Sequence, residues 1–197
     1  MEKKDELIKS GYKQVFIRLI NIIIKPVSEW KKISAENRDM NEIMTDYSLV
    51  LTALCTLVKF VSILVSVQEL NYMLAMKNAV IVFLFLFGSL YLTYFFMRFA
   101  MTRMKLATSN SVVFGLTAYS FTPFYVATIV VNLIPELFFV YLLVLYGLYI
   151  AFIGVNEFFI VKGERAVYIS IIMICVMVAT SYLIHFIFFK LMLFWLE

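Results

Sequence analysis

Long apolar runs separated by short polar connectors dominate the chain. A helix needs roughly 20 residues, at 1.5 Å per residue, to cross a hydrocarbon core of about 30 Å. Five runs meet this length, at about 47–67, 79–97, 112–134, 137–155 and 166–189. The pattern predicts an all-α polytopic membrane protein with five transmembrane helices, and an odd number of spans places the two termini on opposite sides.

The segment before the first run has a helical pattern of a different kind. At 100° per residue, residues 5–25 form an apolar arc about 160° wide. The arc consists of Ile8, Tyr12, Val15, Phe16, Leu19, Ile20, Ile22 and Ile23, and the residues largely opposite are Lys9, Lys13, Arg18, Asn21 and Lys25. We predict an N-terminal amphipathic interfacial helix that lies in the inner headgroup layer, with packing on the inner ends of the spans as the alternative. The two can both hold.

A second helix is predicted immediately afterwards, in "PVSEWKKISAE". Pro26 lacks a backbone donor, so it suits the first turn of a new helix or forces a kink. Trp30 and Ile33 share one face, and we expect Trp30 in the interfacial layer with one wet edge. Residues 1–46 are therefore interpreted as a cytosolic and interfacial segment that lies on the membrane, and residues 47–197 as the five-span domain.

Composition and charge agree with a membrane protein. The chain is 63% apolar, more than a soluble domain of 197 residues needs. With the N-terminus inside, fourteen of the seventeen Lys and Arg residues fall on the cytoplasmic side, where short loops retain such residues. We predict a cytoplasmic N-terminus and an external C-terminus. The net charge of +4 then reflects topology and does not imply a nucleic-acid partner.

Two regions resemble the Yip domain family, which is named for proteins that interact with Ypt/Rab GTPases. The first is the Pro-x3-Trp-x2-Ile-x2-Glu stretch before the first span, and the second is "AYSFTPFYVATIVVNLIPELFFVYLLVLYGLYIAFIGV" followed by Arg-Ala. The resemblance covers about residues 20–190. Its motif positions are Pro26, Trp30, Ile33, Glu36, Tyr119, Pro123, Pro135, Tyr146, Gly154 and Arg165.

This resemblance implies a polytopic membrane protein with a cytosolic N-terminus, which the charge count indicates independently. Eukaryotic relatives act in Golgi and endoplasmic-reticulum vesicle traffic and bind Rab GTPases and one another. The segment before the spans is only about 46 residues here, shorter than the cytosolic region typical of those proteins. We therefore expect a prokaryotic cytoplasmic membrane. An ER or Golgi membrane is the alternative, and a Rab-type GTPase is expected as a partner only in a eukaryote.

The sequence gives little support for catalysis. It contains one histidine, His185, in the fifth run, and two cysteines, Cys55 and Cys175, among aliphatic residues inside runs. It has no metal-ligand spacing, glycine-rich phosphate loop or nucleophile elbow. We predict no catalytic, cofactor or metal site. The expected partners are anionic inner-leaflet lipid and either a membrane protein or a second copy of the chain.

Polar residues within or beside the runs leave a transporter or channel component as an alternative function. The intramembrane candidates are Lys59, Tyr119, Asn132 and Glu136. Pro123 cannot donate to the carbonyl of Tyr119, so we predict that Lys59 faces the bundle and is held by that carbonyl or by the Tyr119 hydroxyl. Alternatively, Lys59 extends its stem to a headgroup region. A membrane enzyme would need a clustered polar site, which the sequence does not offer.

Overall fold

A computed structural model describes the backbone of residues 2–66, 71–106, 109–159 and 164–194, with side chains described throughout these ranges except at 2–12, 159, 165, 185 and 188–194. The described part is helical and contains no strand. Its α-helices are α1 (Glu2–Ile24), α2 (Pro26–Glu36), α3 (Met40–Ile43), α4 (Leu49–Ser66), α5 (Tyr72–Arg103), α6 (Asn110–Ser120), α7 (Thr122–Leu133), α8 (Leu143–Phe159) and α9 (Glu164–Phe194). A π-helical turn, Met44–Ser48, joins α3 to α4, and a 3-10 helix, Pro135–Leu142, leads into α8.

Five stretches of the described chain are long and apolar enough to cross a membrane, which confirms the predicted fold class. They are Met40–Ser66, Tyr72–Arg103, Asn110–Leu133, Pro135–Phe158 and Ala166–Ile184. The first begins earlier than predicted because α3 and the π-helical turn extend it. The second also begins earlier, since the Asn71 side chain caps it by accepting a hydrogen bond from the Leu74 amide at 2.9 Å.

Local sequence explains where the N-terminal helices end. Lys25 leaves the helical conformation and Pro26 follows as the first residue of α2, which confirms a break at this proline. Asn37, with a φ of 45°, ends α2 in the left-handed region that asparagine tolerates. Asp39 then starts α3. We refer to α1 and α2 together, Glu2–Glu36, as the collar.

The third span, α6 and α7, lies at the centre of the bundle. In its most apolar stretch 83% is buried, compared with 22% to 39% in the other four spans. The break between α6 and α7 falls at Phe121, two residues before Pro123, which is buried near the start of α7. Pro123 thus lies beside an interruption of the helix, because proline cannot donate a backbone hydrogen bond.

The other spans surround this central one. Helix α4 packs against α5, α5 against α9, α9 against α8, and both α4 and α8 contact α7. The collar contacts the end of the bundle at which spans one, three and five begin and spans two and four end. Two contacts place it there: α2 packs along α8, and α1 contacts the π-helical turn. We call this the collar end of the bundle.

Candidate functional site

An ion-pair cluster attaches the collar to the central span. The Arg18 guanidinium pairs with Glu36, lies 3.6 Å (Nε to Oε1) from Glu29, and donates a hydrogen bond of 3.1 Å to the Tyr119 hydroxyl. Lys32 adds a contact of 3.3 Å (Nζ to Oε2) to the nearly buried Glu29. We call these five residues the Arg18 cluster. It links α1 and α2 by charged groups, and it links both to α6 through the Tyr119 hydroxyl.

Arg18 carries a fixed positive charge at this site. Burial acts to lower the pKa of Arg18, but its hydrogen bonds to Glu36 and Tyr119 outweigh that effect, and the pKa is raised. Its guanidinium carbon also lies 5.7 Å from the centre of the Tyr119 ring. The sequence pattern placed Arg18 on the polar side of α1, away from the spans. That prediction is wrong, because Arg18 points into the bundle, where two carboxylates and a phenol receive it.

Trp30 fills a slot in the bundle. It is fully buried, with its ring edge-on to Tyr119 at 5.8 Å and to Phe158 at 5.6 Å. Gly154 makes room for it, since a Cβ at that position would lie 2.6 Å from the Trp30 ring and 2.7 Å from Leu116. The expectation of a wet interfacial edge for Trp30 is therefore wrong. Its indole N–H has no partner among the described residues.

The collar lies along α8 and does not lie across its end. The Tyr146 hydroxyl donates to the carbonyl of Ile23 at 2.9 Å, and the Ser34 hydroxyl donates to Glu157 at 3.3 Å. These two α8 residues are eleven positions apart, about 16 Å of helix. The break at Pro26 therefore reaches well down the bundle from the collar end, so the collar packs along α8 and not only on the inner ends of the spans.

The outer side of the collar is apolar and exposed. Val15 and Ile22 face the bundle and are buried, whereas Phe16, Ile20 and Ile24 are 44%, 51% and 67% exposed. Ile24 lies outside the predicted apolar arc, and the arc residues Ile8 and Tyr12 have side chains outside the described part. The described part of the arc is divided: Val15 and Ile22 pack on the spans, whereas Phe16 and Ile20 remain available to a membrane. This division is consistent with both alternatives that the helical pattern offered.

Most of the motif positions converge at the collar. Seven of the ten lie in or against it: Pro26, Trp30, Ile33, Glu36, Tyr119, Tyr146 and Gly154. Pro123 lies deeper, at the break of the central span, and Pro135 is exposed at the start of span four. Arg165 lies in the first turn of α9, and its side chain is outside the described part. The geometry thus groups residues that are distant in sequence around one tryptophan and one arginine.

Comparison with known families identifies the domain. The Yip1 domain model matches residues 20–188, which include α2 and nearly all of the five-span bundle. The chain belongs to the Yip1 domain family. No curated protein and no solved structure matched it. The Yip1 domain here is a helical membrane protein in which the collar forms part of the packed unit.

The intramembrane polar candidates lie apart from the Arg18 cluster, except Tyr119. Lys59 and Asn132 line the same cavity in the other half of the bundle, and Glu136 is exposed at the start of span four. The Tyr119 hydroxyl accepts from Arg18, and its carbonyl accepts from the Thr122 hydroxyl at 2.6 Å. The predicted pairing of Lys59 with Tyr119 is therefore absent from the described structure, and Arg18 is the cation that Tyr119 binds.

The remaining chemistry-bearing side chains form no cluster of metal ligands within the part of the chain that the structure describes. Cys55 is buried, and its thiol lies 3.6 Å from the Tyr125 carbonyl, whereas Cys175 is exposed on the outside of the bundle. His185 lies in α9, but its side chain is outside the described residues.

Glu29 and Arg18 are the site residues that the sequence reasoning missed. A signal for them existed, because Arg18 interrupts an otherwise apolar stretch, and Glu29 and Glu36 lie seven residues apart on one helical face. A lone cation in an apolar run, followed by a helix with two carboxylates on one side, is the pattern of an internal ion pair. The sequence alone does not show whether Arg18 pairs with these carboxylates or faces lipid. The position of Tyr119 in the structure shows that it pairs with them.

Proposed function

We propose that this Yip1 domain is a non-catalytic membrane organiser or adaptor, which acts through lipid and protein partners at its collar. The observation that supports it is the division of α1 into two edges. One edge, with Val15 and Ile22, packs on the bundle beside the Arg18 cluster. The other edge exposes Phe16, Ile20 and Ile24. A helix held at a defined angle with an apolar outer edge is suited to shape or recognise a leaflet.

Family membership supports a non-enzymatic role, since Yip1-family proteins are non-catalytic membrane-trafficking proteins. Eukaryotic relatives bind Rab GTPases and one another, and a Rab-type partner is proposed for this chain only in a eukaryotic membrane. A membrane protein or a second copy of the chain is the partner we propose otherwise. A prokaryotic cytoplasmic membrane is the proposed location.

The charge distribution supports a cytoplasmic collar end. Arg98 and Arg103 lie near the end of α5 at the collar end, and both are exposed. Lys13 and Lys31 on the collar are exposed as well. Each lysine near an anionic leaflet contributes about 1 kcal/mol of attraction, so the same residues favour both the N-in orientation and binding to anionic inner-leaflet lipid.

The packing of the central span does not favour the transporter alternative. The hydroxyls of Thr117 and Thr128 donate to backbone carbonyls one turn earlier in their own helix, at 2.8 Å each. These groups therefore satisfy the helix backbone and do not form a polar path between helices.

Site-directed fluorescence in proteoliposomes tests contact of the collar with the leaflet. In a chain with both native cysteines replaced by alanine, a single cysteine at Ile20 carries a small fluorophore, and one at the exposed Lys31 serves as the matched control. We expect a lipid-borne nitroxide to quench the label at residue 20 and aqueous iodide to quench the label at residue 31. Equal iodide quenching at both positions would contradict leaflet contact.

Orientation is tested separately with a reporter that is active only in the cytosol. Fusions at residue 1 and near Arg103 should be active, and a fusion at residue 197 should be silent. Activity at residue 197 would contradict the N-in, C-out arrangement. Proteins that co-purify with the chain in native lipid would then show whether the partner is a second copy or another membrane protein.

A further inference from the structure

A lateral cavity lies in the half of the bundle away from the collar. Its volume is about 520 Å³, within the usual range for small-molecule sites. It is formed by α4, α5, α7, α9 and the 3-10 helix of span four. Its lining residues include Lys59, Phe85, Phe124, Asn132, Ser181 and Tyr182. One cation and a few hydroxyl and amide groups thus stand in an otherwise apolar and aromatic wall.

Lys59 is the group that makes this cavity distinctive. Its side chain is half-buried, and no ion pair or hydrogen bond links it to another residue that the structure describes. A lysine at the centre of a membrane span costs about 2.5 to 3.5 kcal/mol on insertion scales and less towards its ends, and lysines within spans usually pair or mark a ligand site. Arg18 shows the contrast, because its charge is met by two carboxylates. No carboxylate among the described residues pairs with Lys59 in this way.

The depth of Lys59 fits a lipid headgroup. The first span runs from Met40 to Ser66, so Lys59 lies six residues, or about 9 Å, beyond its midpoint towards Ser66. Half of a hydrocarbon core is about 15 Å, which places the Lys59 backbone about 6 Å below the boundary. A four-carbon stem can raise the ammonium to that boundary, where lipid phosphates begin. This depth follows from the direction of α4 and is the same whichever side of the membrane is cytoplasmic.

Asn132 provides a second polar contact on the same side. It is the penultimate residue of α7, and its amide nitrogen donates to the Thr128 carbonyl at 2.8 Å. That bond uses one of its two N–H groups, which leaves the other N–H for an anionic oxygen. Below it, Phe85, Phe124 and Ile81 form an apolar wall of the kind that an acyl chain contacts.

We propose that this cavity binds an anionic phospholipid from the leaflet on the Ser66 side. The phosphate contacts the Lys59 ammonium and the Asn132 amide, and one acyl chain lies against Phe85 and Phe124. Charge complementarity selects an anionic headgroup over a zwitterionic one, and the apolar wall of Phe85, Phe124 and Ile81 selects a lipid over a free phosphate. The site is separate from the collar and does not depend on the function proposed for it.

Lipid retention by the full chain tests this site. The protein is purified in neutral detergent, mixed with phosphatidylglycerol or with phosphatidylcholine of identical chains, and examined by native mass spectrometry. We expect wild type to retain phosphatidylglycerol preferentially. Lys59→Met should weaken that binding about tenfold or more, the usual effect of removing a charge-assisted contact, without affecting phosphatidylcholine. Lys77→Met, an exposed lysine on α5 outside the cavity, is the matched control and should change neither.

Two further arms make the test decisive. Ser181→Phe fills the cavity without altering charge, and we expect it to lower phosphatidylglycerol retention as well. Palmitate added in competition reports whether a single-chain carboxylate is preferred. The proposal is overturned if Lys59→Met retains phosphatidylglycerol as wild type does, if Ser181→Phe has no effect, if phosphatidylcholine is retained equally, or if palmitate is retained in place of phosphatidylglycerol. Circular dichroism and gel filtration confirm that each variant is folded.

Discussion

The two halves of the bundle treat a partly buried cation in opposite ways. At the collar end, Arg18 is held by Glu29, Glu36 and Tyr119, next to a fully buried Trp30. In the other half, Lys59 stands in a cavity with no such partner in the described structure. The collar end is therefore closed by the protein's own groups, whereas the Lys59 cavity is open to a ligand. Packing and charge pairing should dominate stability at the first and contribute little at the second.

Truncation of the buried tryptophan should have the largest effect. Trp30→Ala leaves a void beside Gly154 and Tyr119 and is expected to destabilise the protein by about 3 to 5 kcal/mol. Its counterpart in the cavity is Tyr182→Ala, where the side chain is 73% exposed and little packing is lost. Thermal unfolding in detergent measures both. Similar losses for the two variants would contradict the difference between the halves.

The second largest loss of stability is expected when Arg18, the cation of the collar, is removed. Arg18→Ala leaves the buried Glu29 carboxylate with Lys32 as its remaining partner, and we expect a loss of about 2 to 4 kcal/mol. Lys59→Met removes a lysine that no carboxylate holds, so stability should be unchanged or slightly raised. Denaturation midpoints of the two variants in the same detergent provide the measurement. Destabilisation by Lys59→Met equal to that of Arg18→Ala would mean that Lys59 has an internal partner.

Overpacking of the tryptophan slot should have a smaller effect. Gly154→Ala brings a methyl group within 2.6 Å of the rigid Trp30 ring and is expected to cost about 1 to 3 kcal/mol. Gly88→Ala is the control, because the nearest atom there, at 3.0 Å, is the flexible end of Ile184. Thermal unfolding should rank Gly154→Ala below Gly88→Ala in stability. The reverse order would place Trp30 outside the slot.

The smallest effect is a pH dependence at the collar end. The pKa of Asp39 is lowered by hydrogen bonds from the Met40 backbone, the Ser111 hydroxyl and the Asn41 backbone. A lowered pKa in the folded state means that its stabilising contribution is present at neutral pH and is lost as the pH falls through the ordinary value of 3.8 and below it. Asp39→Asn should flatten this acid limb in unfolding experiments. An unchanged acid limb would show that Asp39 does not contribute to it.

The sequence predicted the spans well because crossing a hydrocarbon core imposes a minimum apolar length, and all five runs meet it. It also located the helix break at Pro26, since proline acts through its own missing donor. It failed at Arg18 and Trp30. A helical pattern assigns a charge to the polar side, and only tertiary structure reveals the carboxylates and the phenol that receive Arg18 inside. Likewise, no local signal connects Trp30 with Gly154, 124 positions later, whose missing side chain creates the slot.

Hydrogen exchange of α2 in nanodiscs tests most directly whether the collar is part of the packed bundle. Wild-type protein is examined in neutral lipid, at low and at high salt, and the amides of α2 are compared with those of α8. We expect α2 to exchange as slowly as α8 under both conditions, because Trp30 and the Arg18 cluster hold it to protein and the screening of lipid charges does not affect that packing. Rapid exchange of α2 in neutral lipid, or protection lost as salt rises, would show that lipid holds the collar in place and would contradict this structure of the Yip1 domain.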